Sequence, residues 1–221
     1  MKLLVMSDIH AEFQRFDPTK LPDAEVVLIA GDITNYGTRN YGLAEFMAAK
    51  VWMQKIAERY QEVYWIPGNH DIGFQRGAFG HSTPCVLNTR WTFPNGMKGW
   101  GVSCSPCYDL PGLAKQWDFM TADIEEEKRM YGLIPSDTDI ILSHSPPRDC
   151  LDSAGLCYDP ATGKWEDRRI GSECLRAHIE ACQPKLVVCG HCHHDRPDGI
   201  EDWIGKTHVV NVAETGKVID L

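Results

Sequence analysis

The stretch VVCGHCHHD, Val187 to Asp195, packs two cysteines and three histidines into the six residues from Cys189 to His194, directly after an apolar run. Cysteines at this spacing point to zinc only when a second pair completes a tetrahedral set, and the available second pair is Cys104 and Cys107 in CSPC. The alternative is that His191 and His193 belong to a larger site assembled from distant parts of the chain. The rest of the sequence decides between these readings.

Working outward, the run KLVVC before Gly190 is one of six short, β-rich apolar segments; the others are LLVM, VVLIA, VYWI, DIILS and THVVNV. Separated by longer segments, some with helical periodicity, they predict an α/β fold whose strands feed a central sheet. Leu43, Phe46, Met47, Ile56, Ala57 and Tyr60 recur at helical spacing and predict an amphipathic helix over residues 41–60. A second helix is expected to start at the N-cap Ser172, bury Leu175 and Ile179, and stop before Pro184. Residues 83–113, rich in Gly, Pro and aromatics, read as short strands and turns, and residues 146–171 as a long, poorly periodic loop of the kind that serves as a lid. No linker or repeat interrupts the chain, so residues 1–221 are read as a single domain.

The decisive pattern lies at the strand ends. Asp8 and His10 follow the first run, Asp32 the second, Asn69, His70 and Asp71 the third, His144 the fourth, and His191 and His193 the fifth. An Asp after a strand usually caps a turn and a lone His is usually unremarked surface, but five such ends in order form a ligand set. Carboxyl ends of strands are where α/β sheets place their sites, and Gly31, Gly68 and Gly190 permit the tight turns that bring backbone close to an ion. Imidazoles, carboxylates and one amide oxygen suit Mn, Fe or Zn, and there are too many of them for one ion. Two divalent ions about 3.5–4 Å apart, sharing a carboxylate, would activate a hydroxide and polarise a phosphoryl group for in-line displacement.

Bulk properties exclude other classes. The chain has 221 residues, 43% of them hydrophobic, enough for a sizeable core. A formal charge of −9 argues against a broad basic surface and hence against a stable nucleic-acid complex. The longest apolar runs fall far short of the roughly 20 residues that span a bilayer, and MKLLVMSDIH turns polar too early for a secretory core. The nine cysteines are therefore read as free thiols in a cytoplasmic protein.

DIH at 8–10, GDIT at 31–34, GNHD at 68–71, SH at 143–144 and GHCH at 190–193 resemble the five ordered motifs of the calcineurin-like metallophosphoesterases, covering Met1 to about Val212. The segments LAKQWDF and YGLIPSDTDIILSHSPP further resemble the small soluble subclass typified by metallophosphoesterase-domain-containing proteins. The resemblance implies a four-layer α/β/β/α sandwich. Motif by motif, it implies that Asp8, His10 and His193 hold a first ion, Asn69, His144 and His191 a second, and that Asp32 bridges. It places His70 beside the metals as phosphate contact or acid, with Asp71 orienting its ring. Under this reading Cys189 and Cys192 are bystanders, and His194 and Asp195 belong to a solvated turn.

The function expected is dimetal hydrolysis of a small phosphoester, with manganese as first choice of metal and iron or zinc as alternatives. A nucleotide-like diester is favoured over a monoester. Related serine/threonine protein phosphatases carry phosphate-gripping arginines where this chain has Tyr36 and Pro67. Arg148, Arg168 and Arg169 in the long loop are the candidates to replace them, and are read as solvated surface charges. A non-catalytic scaffold would be expected to have lost a ligand or His70, and none is lost. The sequence sets no oligomeric state.

Overall fold

The computed structural model describes residues 1–39, 42–159, 162–197 and 199–221. In chain order these form β1 (Lys2–Met6), β2 (Val26–Ile29), α1 (Gly42–Arg59), β3 (Glu62–Trp65), β4 (Arg90–Thr92), β5 (Lys98–Val102), β6 (Ser105–Pro106) and β7 (Met120–Thr121). There follow α2 (Ile124–Tyr131), β8 (Ile140–Ser143), β9 (Ser153–Asp159), β10 (Lys164–Arg169), α3 (Glu173–Cys182), β11 (Leu186–Cys189), β12 (Ile200–Ile204), β13 (Thr207–Asn211) and β14 (Gly216–Asp220). All six apolar runs expected to be strands are strands, within a residue of the expected limits.

Two sheets form the centre. One has the order β14-β1-β2-β3 and the other β12-β13-β11-β8-β5-β4. β1, β2 and β3 run parallel in the first sheet, as do β13, β11, β8 and β5 in the second. Alternation of side chains along each strand sorts the core into layers. Leu3, Val5, Val26 and Leu28 face Ile140, Leu142, Leu186, Val188 and Val210 between the sheets. Leu4, Met6, Val27 and Ile29 face α1, while Ile141, Val187 and Val209 face Tyr131 of α2 and Leu175 and Ile179 of α3. This is the expected α/β/β/α sandwich. Strands buried on both faces read as continuous apolar runs rather than alternating ones, which is why they stand out in the sequence. Each fully buried Leu or Ile contributes roughly 1.5–3 kcal/mol.

Two expectations need correction. In α1 the buried stripe is Ala49, Trp52, Met53 and Ile56, at the i, i+3, i+4, i+7 spacing; of the expected residues Ile56 and Tyr60 are buried and Phe46 packs against the same core, whereas Leu43 and Met47 are 61% and 54% exposed. Two apolar stripes compete on this helix, and packing on the first sheet selects the one carrying Trp52; position 41, expected to begin the helix, lies outside the described residues. Second, residues 146–171 are no structureless loop: β9 and β10 pair as an antiparallel hairpin with a register shift between Asp167 and Arg169. Its Leu156, Tyr158 and Trp165 are exposed, so no buried face imposed an alternation to read. α3 starts at Ser172, whose hydroxyl accepts from the Leu175 N–H at 2.9 Å, as expected.

Candidate metal centre

The parallel strands of the two sheets bring five carboxyl-terminal ends to one edge of the sandwich. Asp8, His10, Asp32 and His191 all have left-handed backbone, with φ of 54°, 47°, 51° and 65°. Such conformations cost about 1–3 kcal/mol each in a non-glycine residue and persist only where neighbours hold them. Two close approaches do so. A Cβ on Gly31 would meet the Gly68 amide nitrogen at 2.6 Å and His144 Nδ1 at 2.7 Å, and one on Gly190 would collide with Ser7 and the Asp8 carboxylate. The glycines before the ligands are required because two turns meet back to back.

The candidate residues form two compact sets, Asp8, His10 and His193, and Asp8, Asp32 and His144. In the first, Asp8 Oδ1 lies 3.1 Å from His193 Nε2 and 3.7 Å from His10 Nε2, and the two imidazole nitrogens stand 3.4 Å apart. In the second, Asp32 Oδ2 lies 3.4 Å from His144 Nε2, and the same oxygen is 3.9 Å from His10. Asp32 thus touches imidazoles of both sets. Asn69 Oδ1 lies 3.0 Å from His144 Nε2, and the His191 ring is 5.1 Å from that of His144.

His144 Nδ1 donates to the Ala30 carbonyl at 2.7 Å, which fixes the tautomer and leaves Nε2 toward the carboxylates. Although burial opposes it, the Asp32 charge raises His144 to about 9, so in the metal-free chain it is a cation. Burial, followed by the neighbouring His144, lowers His191 to about 4. Burial would raise Asp8, but hydrogen bonds from His10 and His193 hold it well below the usual carboxylate range. Nitrogen, carboxylate and amide donors gathered at these spacings around the two buried carboxylates fit divalent transition ions.

His70 sits between the ligands and an open cleft, its ring 4.8 Å from His10 and 4.1 Å from Trp117. Its Nδ1 donates to the Asn35 carbonyl at 2.9 Å, and its backbone N–H donates to Asp32 Oδ1 at 2.7 Å. Burial holds its pKa below the ordinary histidine value. Asp71, expected to orient this ring, has another job. Its fully buried carboxylate accepts from the backbone N–H groups of Ile33, Thr34 and Gly68, and from the Thr34 hydroxyl, cross-bracing the Asp32 and Asn69 turns. Asn35 holds the ring instead, and its side chain donates to the His10 carbonyl and to Glu45.

Sequence reasoning missed Asn35, Trp117 and Glu214. Glu214 Oε1 lies 3.2 Å from His193 Nδ1. It follows β13, a sixth parallel strand with an acid beyond its end, so the rule applied to the other five would have found it.

All nine cysteines are free, and none joins a candidate ligand set among the described residues. Burial pushes Cys104 up to about 12 and Cys189 well above the ordinary thiol value, so thiolate ligands are disfavoured. His194 donates from Nε2 to the Asn211 carbonyl at 3.2 Å, away from the centre.

The cleft beside His70 has a volume of about 340 Å³ and is lined by Asn69 and His191 at the ligand end, then by Leu113, Trp117, Met120 and hairpin residues including Arg168. Of the three arginines, Arg169 pairs with Asp152 at 3.1 Å and Asp167 at 2.9 Å. Arg148 pairs with Asp149 at 3.7 Å and donates to the Arg169 carbonyl. Arg168 alone of the three reaches the cleft wall, contrary to its reading as a solvated charge.

Comparison with known proteins gives the family and the fold. The sequence profile described as calcineurin-like phosphoesterase matches residues 1–195. UPF0046 protein K07C11.7 of Caenorhabditis elegans is 25% identical over 98% of this chain and 71% of its own length. Metallophosphoesterase domain-containing protein 1 of Homo sapiens is 24% identical over 87% of this chain, which spans only 60% of that relative. Among solved structures, a dimetal phosphatase from Danio rerio superposes with a TM-score of 0.59 at 12% identity, covering 96% of this chain and 86% of the other. That likeness is one of fold.

Proposed function

Since this chain belongs to the calcineurin-like phosphoesterases, a family of metal-dependent enzymes, we propose that it is a two-metal phosphodiesterase acting on small diesters, nucleotide-like ones included. The observation that carries the reading is the pair of ligand sets at one sheet edge, with Asp32 within 4 Å of an imidazole in each. In this reading Asp8, His10 and His193 hold one ion, Asn69, His144 and His191 the other, and Asp32 bridges them. Manganese is the first choice, with iron or zinc as alternatives. Bound divalent ions supply Lewis-acid polarisation of the phosphoryl group and lower the pKa of the attacking water.

The protein's own groups do the rest. With Nδ1–H committed to the Asn35 carbonyl, His70 is left with Nε2 to give a proton to the departing oxygen. Burial lowers its pKa, so the doubly protonated ring that can donate is favoured by acidic pH. Asp71 keeps the two turns in register, so that Asp32 and Asn69 hold their places without rearrangement. Asn35 ties His70 to His10 through one side chain and one carbonyl.

Charge selects the diester. A monoester dianion needs cations beyond the two ions, and Arg148 and Arg169 are already paired. A diester carries one negative charge, which the two ions can balance. A phosphomonoesterase is the second reading, favoured by one observation: Arg168 lines the cleft and makes no ion pair or hydrogen bond among the described residues. Among those residues no helix is long and apolar enough to cross a membrane, and nine free thiols suit the cytoplasmic location we assign. The deciding experiment compares kcat/KM for bis-nitrophenyl phosphate and nitrophenyl phosphate with one metal at one pH. The diester is expected to be the better substrate, and a clear monoester preference would shift the assignment to the second reading.

A further inference from the structure

The cleft that opens from His70 is built for something other than a phosphate. Beyond its ligand end its wall is mainly apolar, and Leu113, Trp117 and Met120 stay only partly buried there. Half-open apolar side chains beside a charged centre lose free energy to water unless a ligand covers them. Their setting is ordered. Trp117 packs at 4.1 Å against His70 and stacks at an interplanar angle of 22° with Tyr36, while Arg39 donates to the Gln116 carbonyl at 2.8 Å and Asp118 accepts from the Gly73 N–H at 2.7 Å. The indole is therefore held as a fixed plane next to the residue proposed to protonate the leaving oxygen. Arg168 brings a planar, unpaired guanidinium to the same cleft, a group that also stacks on flat rings.

We propose that this cleft is the leaving-group subsite, with Trp117 as its platform, and that it selects phosphoesters whose leaving group carries a flat aromatic ring over those with small alkyl groups. The inference rests on the phosphodiesterase reading for which group departs, but not for the existence of the subsite. In hydrolysis the phosphorus gains a bond to the water oxygen and loses its bond to the leaving oxygen; His70 gives that oxygen a proton, the water releases one to solvent, and His70 takes one back from solvent before the next turnover. The subsite then holds the aromatic alcohol until release. A cleft of about 340 Å³ accommodates one or two fused rings beside the phosphoryl group.

Calorimetry with metal-loaded protein tests the subsite without requiring turnover. The probes are 1-naphthylphosphonate and methylphosphonate, which share a head group and differ in the ring. Wild type is expected to bind the naphthyl probe about 5- to 100-fold more tightly, the range for stacking on an aromatic side chain. Trp117→Ala should bring the two affinities within about 3-fold while leaving methylphosphonate unchanged. Trp117→Leu retains apolar cover should the Ala variant fold poorly, and is expected to lose most of the preference as well. Equal affinities in wild type, or a full naphthyl preference in Trp117→Leu, would overturn the proposal. Ring-selective binding without hydrolysis of any diester would sustain the subsite and reject the phosphodiesterase reading instead.

Discussion

Glu214 Oε1 lies 3.2 Å from His193 Nδ1, so that this ring has a carboxylate at each nitrogen, Glu214 on one side and Asp8, at 3.1 Å, on the other. An outer carboxylate fixes the tautomer and raises the basicity of the inner nitrogen. Removing such a partner typically lowers metal affinity about 10- to 100-fold. Glu214→Gln is accordingly expected to weaken one ion by that factor and leave the other within a few-fold of wild type. Competition with a chromophoric chelator reads both constants; an unchanged pair would mean that Glu214 has no part in holding His193.

His70 offers a sharper test of chemistry. His70→Asn should retain both ions and lower the rate by about 10²–10⁴, the usual worth of a positioned acid. Nitrophenolate leaves without a proton and an alkoxide does not, so the loss should shrink as the leaving group improves. A uniform loss across a leaving-group series would make His70 a phosphate contact, and loss of metal would reject both roles.

In the metal-free chain, the histidines predict a pH dependence of stability. The Asp32 charge raises His144 to about 9, and Asp8 raises His10 and His193, in each case against the effect of burial. A raised folded-state pKa gives stability that is full below the ordinary histidine value of about 6.5 and lost as pH climbs to the folded value. His191, lowered to about 4, acts in the opposite sense and withdraws stability as pH falls below about 6.5. Burial raises Asp71 to about 7, which withdraws stability as pH climbs from about 4 to 7 and opposes the His191 effect. The chelator-stripped protein is therefore expected to lose stability from about pH 6.5 toward pH 9. Metal-loaded protein should lack the alkaline decline, because the ions replace the protons. A thermal-melt series with and without metal checks this, and a metal-free Tm rising from pH 6.5 to 9 would contradict it.

How much of this was written in the sequence follows from burial. Strands covered on both faces, such as Val26–Ile29 and Leu186–Cys189, had to be apolar throughout and were legible at once. The five strand ends that carry the candidate ligands were legible because residue type and order suffice to mark them. The hairpin of β9 and β10 was not, since most of its described residues are exposed and its sequence was free to vary. The helix carrying Trp52 was half legible: its C-terminal limit was right within a residue and Ile56 and Tyr60 are buried as expected, but the burial of Trp52 and Met53 in place of Leu43 and Met47 depended on the sheet beneath it. Asp71 was assigned to the wrong neighbour, because adjacency in sequence to His70 says nothing about where a buried carboxylate finds its four donors.

The central claim is that two ions act together across Asp32. Chelator-stripped protein titrated with manganese, with bound metal measured by elemental analysis and turnover of bis-nitrophenyl phosphate followed in parallel, tests it most directly. Activity is expected to rise to a plateau at two ions per chain, and Asp32→Ala to lose tight binding at both positions and activity with it. A plateau at one ion per chain, turnover by the stripped protein, or an Asp32→Ala variant that keeps one ion at full affinity would contradict the account.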